Sequence, residues 1–317
     1  MKISTERWKL RPWRPCIEDT EAFIEVWTAC LPIPLPGAAD LLKKYPIRVE
    51  GVENGSLLAV RDERAIGFTS MIRAEKSAQI HALLGVHPLA QHRGLGRELL
   101  ERSLDIARDY GAEEFCVAYY RSDTRAGIFA QNAGFEDRDQ IHSSVYLCSL
   151  SIPVWAQAKL RAVEDAGIRI VSGTQFQEEC SDWDRQWWNH EMRAIEDIPS
   201  EIPLEGLPFP KWRRQIEPPF CFLDNVRVAV EGQNLVGLTR LGVRHGDRVN
   251  INHLGVDRAY RRRGIATALK CACVAHARAV GATELTTQNH DGNPMYGLNR
   301  AFGFRTIDTQ IVCAIRL

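Results

Sequence analysis

Two stretches of this 317-residue chain decide how it is read: LLGVHPLAQHRGLGRELL, residues 83–100, and HLGVDRAYRRRGIATAL, residues 253–269. Val86 and Val256 stand 170 positions apart, as do Gly94 and Gly264. The same interval relates Val60 to Val230, Gly67 to Gly237, Gly111 to Gly281 and Ala112 to Ala282. Gly134-Phe135 recurs as Gly303-Phe304 at an interval of 169. One register held over so much chain implies a duplicated and fused domain, and so long a period excludes a solenoid. At roughly 100–200 residues per domain, the length suits two cores.

Each half reads as a mixed α/β domain. Leu57–Val60 and Ile66–Ile72 are apolar, β-prone runs around a polar turn, matched by Val226–Val230 and Leu235–Leu241. A third strand follows in each half, Gln79–Val86 and Asn250–Val256, and a helix opens at each glycine motif. Leu99, Leu100, Leu104 and Ala107 share one face of the first helix; Ile265, Ala268, Leu269, Ala272, Ala275 and Ala279 share one of the second. Strands at Phe115–Tyr119 and Glu284–Thr287, a short helix, a Gly-Phe turn and final strands at Ser143–Leu150 and Thr309–Leu317 complete the halves. Trp155–Ala166 reads as a connecting helix, Ile168–Val171 as the next strand, and the proline-rich stretches Leu31–Gly37 and Asp197–Pro219 as irregular loops. The expected division is therefore 1–152, a connecting helix at 153–167, and 168–317. Each domain should hold a central mixed, mostly antiparallel sheet flanked by helices.

Composition narrows the function classes. Lys+Arg and Asp+Glu both number 40, so no global charge points to nucleic acid or an anionic membrane. No apolar run approaches the roughly 20 residues of a membrane-spanning helix, and the polar start lacks a signal-peptide core. The nine cysteines contain no CxxC pair, which points away from a metal site and towards free buried thiols in a reducing, cytoplasmic setting.

The glycine motifs carry the chemistry. Gln91-His92-Arg93-Gly94-Leu95-Gly96 and Arg261-Arg262-Arg263-Gly264-Ile265-Ala266 each follow a strand and open a helix. Such a junction offers unpaired N–H groups at the positive end of a helix dipole, and glycine lets a bulky anion approach the backbone. Basic neighbours add charge. The physical expectation is a pyrophosphate cradle, distinct from a Walker loop and from a Rossmann GxGxxG.

At these residues the sequence resembles the GNAT superfamily of acyl-CoA N-acetyltransferases. Its signature, (Gln/Arg)-x-x-Gly-x-(Gly/Ala) after a strand ending in Val-x-Pro-like residues, is similar to Gln91–Gly96 with Gly85–Pro88 and to Arg261–Ala266. Its later Asn…Gly-Phe landmark looks like Asp123…Gly134-Phe135 and Asn293…Gly303-Phe304. The arrangement is similar to that of tandem members. The resemblance implies acetyl-CoA as co-substrate, no metal, and a small-molecule amine as acceptor, with neither nucleic acid nor membrane as partner. It implies a co-substrate site at Leu84, Val86, Gln91, His92, Arg93, Gly94, Leu95, Gly96 and Arg97 in the first half. In the second half it implies one at Leu254, Gly255, Val256, Arg261, Arg262, Arg263, Gly264, Ile265, Ala266, Thr267, Asn289 and Asn293.

The family often protonates the leaving thiolate with a tyrosine five residues before the Phe of the Gly-Phe turn. Here Ala130 and Asn299 occupy that slot, leaving Asn299 itself, Tyr296 one turn earlier, or water. The second half has the more basic loop, counting Arg258, and polar strand residues Asn250, Asn252 and His253; a histidine there is expected to titrate near neutrality and act as base. The first offers His81 and Tyr119-Tyr120. The second half is therefore expected to be catalytic and the first to bind acetyl-CoA or serve as structure. Trp187, Trp188, His190, Glu191, Glu196, Asp197 and Glu201 are expected to wall the acceptor, where free carboxylates would suit a cationic amine. A non-catalytic acyl-CoA-binding sensor remains the alternative.

Overall fold

The computed structural model describes residues 7–31, 35, 37–42, 55–73, 77–197, 206–218 and 221–317. The strands are β1 (Lys9–Pro12), β2 (Leu57–Arg61), β3 (Arg64–Ile72), β4 (Gln79–Val86), β5 (Glu114–Tyr120), β6 (Glu136–Leu147), β7 (Ile168–Ser172), β8 (Val226–Glu231), β9 (Asn234–Leu241), β10 (Arg248–Val256), β11 (Glu284–His290) and β12 (Arg305–Arg316). The helices that matter below are α1 (Ile17–Cys30), α2 (Leu95–Asp109), α3 (Thr124–Asn132), α4 (Val154–Asp165), α5 (Gly173–Glu179), α6 (Trp183–Ile195), α7 (Phe209–Gln215), α8 (Ile265–Ala279) and α9 (Pro294–Phe302).

The chain forms two compact units, Met1–Arg138 with Ile311–Leu317, and Asp139–Gln310. In the first, the strand order is β1-β2-β3-β4-β5-β12; in the second it is β6-β11-β10-β9-β8-β7. The β4–β5 and β10–β11 pairs are parallel, whereas β1–β2, β2–β3, β3–β4, β7–β8, β8–β9, β9–β10 and β6–β11 are antiparallel. The mixed, mostly antiparallel sheet expected for each half is what forms.

One expectation changes here. The final strand of each half was assigned to its own domain, with boundaries at 152 and 168. Instead β12 lies beside β5 in the first unit, and β6, which starts directly after the Gly134-Phe135 turn, pairs with β11 in the second. The halves exchange their last strands. Side-chain alternation specifies which face of a strand is buried but not which neighbouring edge it joins, so the sequence repeat runs straight through the exchange. A second correction concerns Asp197–Pro219, which was read as irregular. It contains α7, with Pro208 as N-cap and Pro210 near the first turn, where a missing N–H costs nothing. Trp212 on α7 is 2% exposed and helps close the core.

Each sheet is covered on both faces. In the first unit Leu95, Leu99 and Leu100 of α2 are buried on one face, while Phe23 and Trp27 of α1 pack on Phe68 from the other. In the second unit Ile265, Ala268 and Leu269 of α8 cover one face; Trp183 and Trp187 of α6 pack with Leu238 on the other. Gly67 and Gly237 leave room for the α2 and α8 leucines, since a Cβ on either would come within 3.3 Å of them. No helix among the described residues is long and apolar enough to cross a membrane.

Candidate functional site

Both cradles form as the glycine spacing implies. Each parallel strand ends in a short 3-10 turn, Pro88–Ala90 or Arg258–Tyr260. His92 and Arg262 then take a left-handed conformation (φ 61° and 66°), and Gly94 and Gly264 follow at 89° and 92°. Gly94 and Gly264 cap α2 and α8 without any side-chain cap, so the first-turn N–H groups remain available to an anion. Gln91 Nε2 and Arg261 Nε each donate back to the strand, to Val86 O at 3.0 Å and to Val256 O at 3.1 Å, fixing the loops alike.

The two cradles differ in charge. A Cβ on Gly94 would meet nothing within 4 Å, whereas one on Gly264 would come 3.3 Å from Cδ of Lys159 on α4. Arg258 bonds Asp197 at 2.8 Å and Glu196 at 3.2 Å, and Arg261 pairs with the other oxygen of Asp197. Arg263 lies over the Tyr260 ring at 4.8 Å. The four arginines that made the second loop look strongly basic are thus partly neutralised by carboxylates at the end of α6.

Beyond the cradles the parallel strands part. β4 pairs with β5 only from Gln79 to Ala82, and β10 with β11 only from Arg248 to Ile251. Leu84–Val86 and Leu254–Val256 keep their antiparallel neighbours but face an opening on the other edge. β10 also shifts register between Ile251 and His253, a bulge absent from β4. The strand ends above either cradle therefore lack a β5 or β11 partner, although Val86 O and Val256 O already accept from Gln91 and Arg261.

What faces that position separates the units. In the first, a Cβ on Gly85 would run into the ring of Phe68, its cross-strand partner. Phe68 is fully buried and packs on Phe23 and Trp27, with centroids 4.5 and 6.0 Å away. This aromatic stack fills the approach. In the second unit Leu238 replaces Phe68 opposite Gly255. There a Cβ on Gly255 would lie 3.0 Å from His190 Nε2 and 3.1 Å from His253 Nε2. Both nitrogens are buried without a hydrogen-bond partner. Two positions along, on the same face, the contrast repeats: Leu83 faces Ser70 in the first unit, and His253 faces Arg240 in the second.

A charged shell supports the two imidazoles. Asp257 Oδ1 is 2.7 Å from His190 Nδ1, and Arg193 Nη2 donates to both oxygens of Asp257 at 3.2 and 3.0 Å. Burial works to raise the Asp257 pKa, but the bonds from His190 and Arg193 outweigh it and hold the carboxyl below its ordinary value. Glu191 accepts from Trp187 Nε1 at 2.9 Å and Trp212 Nε1 at 2.6 Å, with Arg240 at 3.7 Å. Burial opposes its charge too, yet Arg240 and the two indoles hold the carboxyl below its ordinary value. Asp257 and Arg240 escaped the sequence reading. Asp257 stands inside the quoted motif, but its partner His190 lies 67 residues away, and no local pattern joins them.

Other expectations change. His253 was expected to titrate near neutrality; burial pushes it down to about 4, against the pull of Glu191, so the ring is neutral at physiological pH. His81 in the first unit is likewise pushed down to about 4 by burial, and its Nε2 has no partner. Tyr296 donates to or accepts from Thr306 at 3.0 Å and stacks on His142 at 4.3 Å, so its hydroxyl already has a partner. Asn299, 1% exposed, donates to Asn289 Oδ1 at 2.6 Å and leaves its own Oδ1 without a partner. Asn293 accepts from Met295 N as the N-cap of α9. Trp188 donates to Leu207 O at 2.8 Å. Glu191, Glu196 and Asp197 all have internal partners and do not stand free for a cationic acceptor; Glu201 lies outside the described residues. No group of three or more metal-ligating side chains occurs among the described residues, and all nine cysteines are free.

The depressed histidines set a pH dependence of stability. Unfolded histidine binds a proton near its model value of 6.5, whereas folded His81 and His253 do so only near 4. Between these values the unfolded chain holds more protons, so stability falls as pH drops. The loss should reach on the order of 1–2 kcal/mol per histidine by pH 5. Calorimetric melting temperatures should therefore decline from pH 7.5 to pH 5; a flat or rising profile contradicts the buried, neutral rings.

Comparison with known proteins fits this geometry. Residues 178–304 match the Acetyltransferase (GNAT) family and residues 53–137 the Acetyltransferase (GNAT) domain. A search of the curated proteins finds no match. Among solved structures, a tandem GNAT protein from the clavulanic acid biosynthesis pathway is similar at TM-score 0.70 and 16% identity, over 98% of each chain. A GCN5-related N-acetyltransferase from Sphaerobacter thermophilus is similar at 0.66 and 20%, over 98% of this chain and 95% of that one. At these identities the likeness is one of fold.

Proposed function

The chain belongs to the GNAT acetyltransferase family as a tandem member, and on that premise we propose that it is an acetyl-CoA-dependent N-acetyltransferase acting on a primary amine of a small molecule, with the second unit as the reacting one. The observation that carries this reading is the convergence of the unpartnered His190 and His253 nitrogens beside Gly255 on the splayed strand. Acetyl-CoA would supply an activated acyl carbonyl. The Gly264 cradle and the first-turn N–H groups of α8 would hold its pyrophosphate, with Arg262 and Arg263 adding charge. A backbone N–H of Leu254–Val256 that is not bonded to β9 would stabilise the oxyanion of the tetrahedral intermediate. An imidazole beside the opening can accept an N–H proton from the incoming amine. Tyr296 is engaged elsewhere and Asn299 has no proton of suitable acidity, so the leaving thiolate takes its proton from solvent.

The first unit is read differently because its cradle is open and its approach is filled. Phe68 leaves no polar group beside Gly85, which supports acyl-CoA binding or a structural role there. Nine free thiols support a reducing, cytoplasmic setting. The test is release of free CoA from acetyl-CoA over a panel of small primary amines, with acetylated product identified by mass spectrometry. Stoichiometric product supports the proposal. Tight acetyl-CoA binding with no product from any amine would favour the sensor reading, for which the Phe68 plug and the Asp197-bound arginines are the supporting features.

A further inference from the structure

We propose that His190, oriented by Asp257, is the proton acceptor for the attacking amine, and that His253 is the second, non-basic face of the same pocket. This rests on the acetyltransferase reading and assigns a role that the strand position of His253 had seemed to claim. The argument starts from Asp257. Its carboxylate is ionised and held by two bonds from Arg193, so it can only accept a hydrogen bond. The 2.7 Å contact with His190 therefore places the proton of the neutral ring on Nδ1 and leaves the lone pair on Nε2. That Nε2 is buried, has no partner, and lies beside Gly255, where an added Cβ would come 3.0 Å from it.

His253 differs in what surrounds it. Burial and Arg240 both disfavour a positive charge on its ring, and Glu191, which would favour one, already serves two indoles and Arg240. A ring that takes a proton only near pH 4 is a poor acceptor from an amine at neutral pH. His190 has a dedicated carboxylate opposite its other nitrogen, which stabilises the imidazolium as it forms. The charged and titratable groups around the pair are Glu191 and Arg193 on α6, Asp257 just beyond β10, His253 on β10 and Arg240 on β9.

The step balances as follows. The neutral amine nitrogen forms a bond to the acyl carbon, and one N–H proton passes to His190 Nε2. The C–S bond breaks, and its electron pair leaves with sulfur as a thiolate. The imidazolium returns its proton through solvent, and the thiolate is protonated to free CoA.

The experiment measures kcat/KM against pH for the full chain with the best amine from the panel, calculated on the concentration of unprotonated amine so that the substrate's own ionisation drops out of the profile. Wild type should lose activity at low pH along a single acid limb. His190→Gln should cost about 10²–10³-fold and abolish that limb. Asp257→Asn should lower activity and shift the limb to lower pH, because the imidazolium loses its carboxylate. His253→Gln should lower activity yet keep the limb. Gly255→Ala adds one methyl about 3 Å from both nitrogens while sparing every polar group, and should reduce kcat more than acetyl-CoA affinity. Nitrogen-15 spectra of the folded wild type at pH 7.5 supply a readout independent of turnover, with His190 Nε2 expected to be unprotonated. Survival of the limb in His190→Gln, its loss in His253→Gln, or a protonated His190 Nε2 overturns the assignment. A wild type that acetylates no amine overturns the acetyltransferase reading, and the assignment with it.

Discussion

Arg263→Glu combined with Gly264→Asp is expected to abolish most acetyl transfer, while Arg93→Glu combined with Gly94→Asp leaves most of it. At the second cradle the change sets two carboxylates where α8 presents unpaired N–H groups, and it removes one of the two arginines not tied to Asp197. Losing a charge-assisted bond and adding like-charge repulsion should cost about 3 kcal/mol, or about 10²-fold in kcat/KM. Gly264 also has φ 92°, so its replacement strains the loop, and the comparison belongs on protein shown to be folded. The first cradle lacks any polar group beside Gly85, so its loss should act through stability or through a remote acetyl-CoA site. The reverse pattern would move catalysis to the first unit. Loss with either variant would mean that the halves act together.

The second large effect is structural. Removing Ile311–Leu317 should unfold the first unit and spare the second. Ile311, Val312, Cys313 and Ala314 are 4%, 8%, 1% and 2% exposed, and Cys313 packs with Phe115, Phe135 and Ile80. Leu317 N also donates to Glu113 O at 3.0 Å. Losing several buried side chains at about 1.5–3 kcal/mol each consumes most of the 5–15 kcal/mol that a domain commonly has. Exposing the β5 edge adds unpaired backbone groups. Hydrogen exchange followed by mass spectrometry should show lost protection across residues 57–120 and retained protection across 226–290. Protection kept in 57–120 would show that β12 is dispensable to the first sheet.

Much of this architecture is legible in the chain itself, and the reasons are local. The cradle is written in contiguous residues: a β-prone run, a basic loop, a glycine that must reach positive φ, and an amphipathic helix. The 170-residue register then doubles the signal. Partner choice is not local. Nothing in the alternation of Ser143–Leu147 states that it pairs with β11, and the exchange of β6 and β12 passes unseen. The same limit governs the site. His253 is marked by its strand, but its protonation depends on Arg240, Glu191 and His190, brought in by β9 and α6. The plug at Gly85 depends on whether residue 68 or its counterpart 238 is aromatic, a difference that gains meaning only once the antiparallel register places it opposite the glycine. Carboxylates at 191, 196 and 197 look available in sequence, and become internal partners only when the tryptophans and arginines they serve arrive in space.

The most direct test of the central claim, that the second unit holds the reacting thioester, is a crystal structure of the full chain with acetyl-CoA bound. The account predicts pyrophosphate density on the first turn of α8 at Gly264. It predicts the thioester carbonyl in the opening beside Leu254–Val256, with the acetyl carbon facing the His190 and His253 nitrogens. A thioester ordered only in the first unit, above Gly94 and against Phe68, with the Gly264 cradle still bridged by Asp197 at saturating acetyl-CoA, would contradict it.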